Sequence, residues 1–345
     1  GRVIQEGDTL TPDDILAINA YGNSNDISVV GGLQYNYEIG KKLLLIAGAE
    51  YIYNDVRDEM PGYARKINQQ VGTLGSYAQL EFKPTKNLTL LAGGRFDHVR
   101  IDGIYDLDMD RFENERNLNV MVPRLSAMYQ LTEDLKLRAS FAQGYRAPQA
   151  FDEDLHIETV GGSARFIRLD TALVSERSNS GMLSLNYDKV IRNWQMNFVL
   201  EGFYTKLNNP FILVDQTELP SGVAVITKEN GSGATVAGVN FEGNVAFGSK
   251  LVIQSGATIQ MANYAAEEEI WAPEDPADDT PPTVTKKLLR TPDAYGYFSL
   301  VYQPVPAVSI AYSVVITGSM DVAHVIDPDT ELTVVTQTPI FFENN

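Results

Sequence analysis

Leu135-Lys136-Leu137-Arg138-Ala139-Ser140-Phe141 is the stretch on which the fold turns. Side chains alternate across an extended strand, so Leu135, Leu137, Ala139 and Phe141 share one face and Lys136, Arg138 and Ser140 the other. One face therefore suits hydrocarbon and the other water. The strand opens straight after a tight polar turn, Thr132-Glu133-Asp134, and runs into a long connection from about 145 to 176.

The pattern repeats outward in both directions. Trp194, Met196, Phe198, Leu200 and Tyr204 oppose Gln195, Asn197, Glu201 and Thr205. Leu88, Leu90, Ala92 and Phe96 oppose Thr89, Arg95 and Asp97 upstream, and Ala237, Val239, Phe241, Val245 and Phe247 oppose Asn240, Glu242 and Asn244 downstream. Val308, Ile310, Tyr312, Val314 and Ile316 make a further apolar row. Short turns at Gly40-Lys41-Lys42, Pro84 to Asn87, Thr132 to Asp134, Lys189 to Asn193, Gly248-Ser249-Lys250 and Pro304-Val305-Pro306 alternate with long connections. The long ones run roughly over 57–74, 101–117, 145–176, 208–234, 265–292 and 321–339. Tight turns on one side and generous loops on the other mark an antiparallel transmembrane β-barrel, here about twelve strands in about six hairpins. Tyr51, Tyr53, Tyr187, Trp194, Tyr204, Phe247 and Tyr302 fall near strand ends, the level of the lipid headgroups.

Composition agrees with an all-β class. The apolar stretch near Leu43 to Ala49 is far too short for a membrane helix, so any span is by strands. The chain has no cysteine, which excludes a disulfide scaffold and fits passage through an oxidising periplasm. A net charge of −18 with no Lys/Arg-rich cluster argues against nucleic acid as a partner. Ala265 to Pro282 concentrates Glu267, Glu268, Glu269, Glu274, Asp275, Asp278 and Asp279 without a basic residue, and its prolines predict no regular structure. Such a run is a solvated loop. The alternative is a divalent-cation site that bridges to lipopolysaccharide or a neighbouring chain.

No constellation predicts an enzyme. The three histidines, His98, His156 and His324, lie in no His-Glu-x-x-His helix and beside no Gly-x-Ser-x-Gly elbow. Asp106-Leu107-Asp108-Met109-Asp110 has the opening spacing of a calcium loop, but Arg111 and Asn117 stand where that loop needs glycine and glutamate. Neither a catalytic residue, a metal ligand nor a cofactor is expected.

Val122-Pro123-Arg124-Leu125-Ser126-Ala127-Met128-Tyr129 and Leu135 to Pro148, ending Gly144-Tyr145-Arg146-Ala147-Pro148, resemble the mid-barrel segment of TonB-dependent outer-membrane receptors. Phe151 to His156, Glu176-Arg177-Ser178, Ser76-Tyr77-Ala78-Gln79 and Gly94-Arg95-Phe96-Asp97 are similar to other pieces of that family. The resemblance implies a barrel of about 22 strands, a plug domain, the TonB complex as partner, and the bacterial outer membrane as location. Residues 1–345 then read as part of the barrel domain, without the plug, the TonB box or the closing strands. Ile340, Phe341 and Phe342 read as the opening of another strand, and Gly1 opens no signal peptide.

That resemblance implies a receptor for a bulky, scarce nutrient, an iron-siderophore complex first. Cobalamin or a glycan is the alternative within the family, and a non-transporting adhesive or structural barrel the alternative outside it. Ligand contacts are expected from the loops: Arg57, Tyr63 and Arg65 in one, Tyr145, Arg146, Phe151 and His156 in another, and Trp271 in the acidic one. The arginines suit an anionic metal chelate, although Arg146 also suits a role in pinning its loop to the rim. Glu50, Arg95, Arg138, Glu201 and Glu242, on polar faces, are expected to meet the plug or one another.

Overall fold

The computed structural model describes residues 21–107, 110–149, 165–218, 224–273, 279–327 and 332–344. Six hairpins close at the short turns: β1 (Asn23–Ile39) with β2 (Leu43–Met60), β3 (Arg65–Phe82) with β4 (Leu88–Leu107), β5 (Asp110–Gln130) with β6 (Leu135–Arg146), β8 (Glu176–Ile191) with β9 (Trp194–Asn208), β12 (Ala234–Phe247) with β13 (Leu251–Trp271), and β15 (Ala294–Val305) with β16 (Val308–Thr317). They pair side by side into one antiparallel sheet, and β19 (Phe341–Asn344) extends it by pairing with β16. The remaining strands belong to the long connections. β7 (Arg165–Leu169), β10 (Phe211–Glu218) and β11 (Ala224–Asn230) form a separate three-stranded sheet, β17 (Asp321–Asp327) and β18 (Leu332–Gln337) a two-stranded one, and β14 (Thr283–Lys287) lies along β13. Gly40 sits in the first turn at φ +64°, a left-handed position that glycine takes without strain.

Hydrogen-bonded register carries the alternation from strand to strand. Leu137, Leu185, Leu200 and Phe241 are successive partners across β6, β8, β9 and β12, all on the apolar face. That face stays open: Leu183 is 55% and Leu200 50% exposed. In a soluble protein so broad an apolar surface is a liability, whereas in a barrel it is the surface that lipid covers. Near the short turns Tyr187 stacks on Phe198 at 6.4 Å and Trp194 meets Phe247 at 4.8 Å, giving an aromatic belt, and Phe198 stacks in turn on Phe241 further into the band at 6.4 Å.

The apolar band ends at one level. Along β4 the outward row reads Leu88, Leu90, Ala92, Gly94, Phe96, then His98, Arg100 and Asp102. Along β5 it falls from Tyr129 through Leu125 and Met121 to Asn119, Asn117 and Glu115. Arg100 pairs with Asp102 at 2.7 Å and Glu115 at 3.6 Å just above that level. On these two strands the band runs over Leu88–Phe96 and Met121–Tyr129, in line with the roughly 9–11 residues with which a tilted strand crosses a bilayer. The strand tops stand beyond it.

Two expectations change here. Residues 57–74 and 101–117 are largely strand rather than loop, because β2–β3 and β4–β5 keep pairing well past the apolar band. Cross-strand hydrogen bonds and ion pairs hold these extensions where lipid does not. The acidic segment departs from the irregular structure expected of it over 265–271 only, while 272–273 and 279–282, with Pro273, Pro281 and Pro282, carry no regular structure. β13 runs on through Trp271, with Glu268, Glu269 and Trp271 opposite Thr285, Val284 and Thr283 of β14. Pairing satisfies the backbone there, Glu267 and Glu269 are exposed, and Glu268 accepts from Ser232 Oγ at 2.6 Å.

Candidate functional site

The polar face of β2–β4 holds a charge network at the top of the band. Glu50, Gly75 and Asp97 are in register across the three strands. Arg95 Nη1 donates to Glu50 Oε2 at 2.8 Å and its Nε to Asp97 Oδ1 at 2.7 Å. Glu50 and Arg95 thus meet each other, as expected. Asp97, only 3% exposed, also accepts from Tyr145 Oη at 2.9 Å.

Tyr145 reaches Asp97 because β6 leaves β5. Pairing between these strands stops at Arg124–Ala142, while β6 stays paired with β8 up to Arg146–Glu176. Period-two alternation from Phe141 would put Tyr145 on the apolar face. Released from β5, its ring instead packs on Val99, Ile101 and Ala147, with Val71 and Leu118 alongside. The Ala147-Pro148-Gln149 segment is thereby drawn onto the inner wall, where Ala147 and Pro148 are buried.

Above this cluster the long connections form a platform. Gln69 Nε2 and Gln149 Oε1 are 3.5 Å apart, and Tyr105 Oη donates to Gln69 Oε1 at 2.9 Å. Tyr105 lies on β4 beyond the apolar band, packed with Ile67, Phe112 and Leu169. Burial pushes its phenol up to about 12. Lys228 of β11, buried, donates to the Gln149 carbonyl at 3.4 Å. The Arg146 guanidinium lies 4.7 Å from the Phe211 ring centroid and pairs with Glu176 at 3.4 Å, and Glu176 also accepts from Phe211 N.

Arg116 of β5 fastens the chain between β7 and β8. Its Nη1 donates to Leu173 O at 2.5 Å and its Nη2 to Asp170 O at 2.8 Å and Thr171 O at 3.3 Å. Asn230 bridges Val174 and the Asn209 carbonyl at the same level. Two connections distant in sequence are in this way tied to one another and to the wall.

The sequence-predicted residues are dispersed over this end. Arg57 sits on the outer face of β2, paired with Asp55 at 3.0 Å. Arg65, on the inner face of β3 and 4% exposed, pairs with Asp58 at 2.8 Å. Burial lowers its pKa and Asp58 opposes that shift. The two arginines therefore face opposite sides of the wall. Tyr63 closes the turn Pro61–Tyr63. Tyr145 and Arg146 enter the platform as described, and Trp271 ends β13. Phe151 and His156 lie outside the described residues, as do Asp108 and Met109 of the calcium-like segment. Asp106 of that segment pairs with Arg111 at 3.4 Å. No group of three or more potential metal ligands occurs among the described residues. Arg116, Gln149 and Lys228 escaped the sequence reading, since nothing local distinguishes them from other polar strand and loop residues.

Three comparisons bear on the family. Residues 3–323 match the family described as TonB dependent receptor-like, beta-barrel. No curated protein matches the sequence. Among solved structures, the ferric-catecholate import receptor Fiu from K12 E. coli aligns with a TM-score of 0.66 at 13% identity, over 93% of this chain and 47% of its own. The ferric yersiniabactin uptake receptor FyuA from Yersinia pestis aligns with a TM-score of 0.63 at 16% identity, over 94% and 46%. The siderophore receptor PiuA from Acinetobacter baumannii aligns with a TM-score of 0.66 at 11% identity, over 94% and 49%. The chain spans about half the length of these structures. At such identities the likeness is one of fold, and it coincides with the family match over the same hairpins: the chain belongs to the TonB-dependent receptor-like β-barrel family.

Proposed function

We propose that the chain forms the barrel wall and loop platform of an outer-membrane active-transport receptor for a bulky metal chelate, an iron-siderophore complex, energised through the TonB complex. The observation that carries this reading is the platform itself. Connections from β6 to β8 and from β9 to β12 share the sheet of β7, β10 and β11, and Arg116 and Lys228 hold them to the wall and to the inturned segment. A preorganised rim loses less entropy on capturing a ligand than a set of loose loops does.

The choice of an iron chelate follows the neighbours whose names carry ferric or siderophore receptors. Of the expected contacts among the described residues, Tyr145 and Arg146 join the platform directly. Arg57, Tyr63, Arg65, Phe151, His156 and Trp271 complete the proposed set. Uptake in cells carrying the full-length gene tests the reading, with radiolabelled ferric chelates and cobalamin compared in the presence and absence of an active TonB complex. TonB-dependent uptake of the ferric chelate is expected. Uptake of cobalamin instead would change the ligand, and surface binding indifferent to TonB would make the barrel an adhesive or structural one.

A further inference from the structure

The outer face of β3–β6 carries a groove close to the short turns. Leu80, Phe82 and Leu90 line one flank and Leu125 and Phe141 the other, over a floor that includes Ala127. Register sets this shape: Leu80, Ala92, Leu125 and Phe141 are successive partners in one row, and Phe82, Leu90, Ala127 and Ala139 in the next. Large side chains at diagonal corners leave the alanines between them as a trough. All of its outward-facing residues belong to the apolar band. The far flank, Leu125 and Phe141, lies five or six residues from the turn, roughly 20 Å of strand and, with the tilt of a barrel strand, a depth of about one leaflet.

The turns beside this groove are basic in a chain of net charge −18. Lys41 and Lys42 occupy the β1–β2 turn, and Lys83 and Lys86 the β3–β4 turn. The two turns touch, since Lys83 N donates to Lys42 O at 2.8 Å and Lys42 Nζ to Pro84 O at 2.9 Å. Lys83 pairs with Glu81 at 2.7 Å. Lys41 and Lys86 are exposed and have no side-chain partner among the described residues. The next short turn carries Glu133 and Asp134, the latter paired with Lys189 of β8, so the excess positive charge lies at the Phe82 end of the groove.

We propose that this is a binding site for an anionic glycerophospholipid of the leaflet at the short-turn end, with an acyl chain in the trough and the headgroup phosphate at Lys41 and Lys86. The two halves of the site match the two halves of such a lipid. An apolar trough accepts a chain of any lipid, while ammonium groups at headgroup level select a net negative one.

The test uses delipidated full-length protein in non-ionic detergent, titrated with phosphatidylglycerol or phosphatidylcholine of the same acyl chains, with retained lipid counted by native mass spectrometry. Phosphatidylglycerol is expected to be retained about thirtyfold more tightly, roughly what two lysines near an anionic headgroup supply. Lys41→Gln with Lys86→Gln, both at exposed turn positions, should remove that preference and leave phosphatidylcholine retention unchanged. Ala127→Trp, which fills the trough from the lipid side, should weaken retention of both lipids. Equal retention of the two lipids by the parent protein overturns the proposal. So does undiminished phosphatidylglycerol binding in either variant, or a dimer that Ala127→Trp abolishes.

Discussion

Arg95 lies across Gly75, and the missing side chain there is what lets an arginine of β4 reach Glu50 two strands away. A Cβ built on Gly75 collides with the guanidinium of Arg95 and with Oδ1 of Asp97. Gly75→Ala is therefore expected to push Arg95 off Glu50 and Asp97 and to destabilise the barrel by about 1.5–3 kcal/mol, the range for hydrogen bonds to charged groups. Arg95→Ala should cost a similar amount, since it leaves Asp97 buried without its cation. Because both changes break one network, the double variant should cost clearly less than their sum. Urea unfolding of the four proteins measures this, and simple additivity would remove Gly75 from the network.

Arg116 offers a different readout, since its terminal nitrogens hold carbonyls of Asp170, Thr171 and Leu173 and, among the described residues, its guanidinium bonds no other strand of the wall. Arg116→Ala should leave unfolding of the barrel nearly unchanged while protease cuts between β7 and β8 much faster. Arg116→Lys should resemble the alanine variant, because one ammonium cannot reproduce a planar fork that serves three acceptors. Limited proteolysis followed by mass mapping reports the result, and a cutting rate equal to that of the parent would contradict the clamp.

Tyr105 links the platform to pH. Its folded pKa, pushed up from 10.0 to about 12, lies above the unfolded value, so the protonated phenol is the form that folding favours. Its contribution is complete below about pH 10 and falls away as pH rises through 12, with a maximum of about 2–3 kcal/mol. Tyr105→Phe should flatten stability over that window and remove one late-titrating tyrosinate from the ultraviolet absorbance. At neutral pH the same variant should cost about 1 kcal/mol through the lost bond to Gln69.

The limits of the membrane band can be checked by charge insertion. Leu200 lies mid-band on the outer face, so Leu200→Arg should destabilise the folded protein in lipid vesicles by about 2–4 kcal/mol. His98 stands where the outward row turns polar, and His98→Arg should cost about 0–1 kcal/mol. Comparable costs at the two positions would mean that the band is drawn at the wrong level.

Much of the wall is legible in the amino-acid sequence, and the platform is not. The short turns at Gly40-Lys41-Lys42, Pro84 to Asn87, Thr132 to Asp134 and Gly248 to Lys250 fall where expected, while those expected at Lys189 to Asn193 and Pro304 to Pro306 narrow to 192–193 and shift to 306–307 because β8 and β15 keep pairing through Ile191 and Val305. Leu135 to Phe141 alternates as its spelling requires. Ile340 to Phe342 indeed leads into a strand, β19. These features are local: a period of two and turn chemistry need only a few neighbouring residues. The candidate site was legible only in outline. The Tyr145-Arg146 run stood out, but its partners did not.

The amino-acid sequence by itself determined the alternation, the turns and the apolar band, because each follows from a side chain's place on its own strand. Only the tertiary structure decided that Tyr145 turns to the Asp97 side of the wall, since that depends on where β6 ceases to pair with β5. It also decided that Arg95 spans Gly75, that β7 joins β11 in a parallel pair, and that Arg116 grips carbonyls more than fifty residues further along. Contacts of that kind depend on which strands become neighbours, and the geometry of the closed network rather than any short motif fixes their partners.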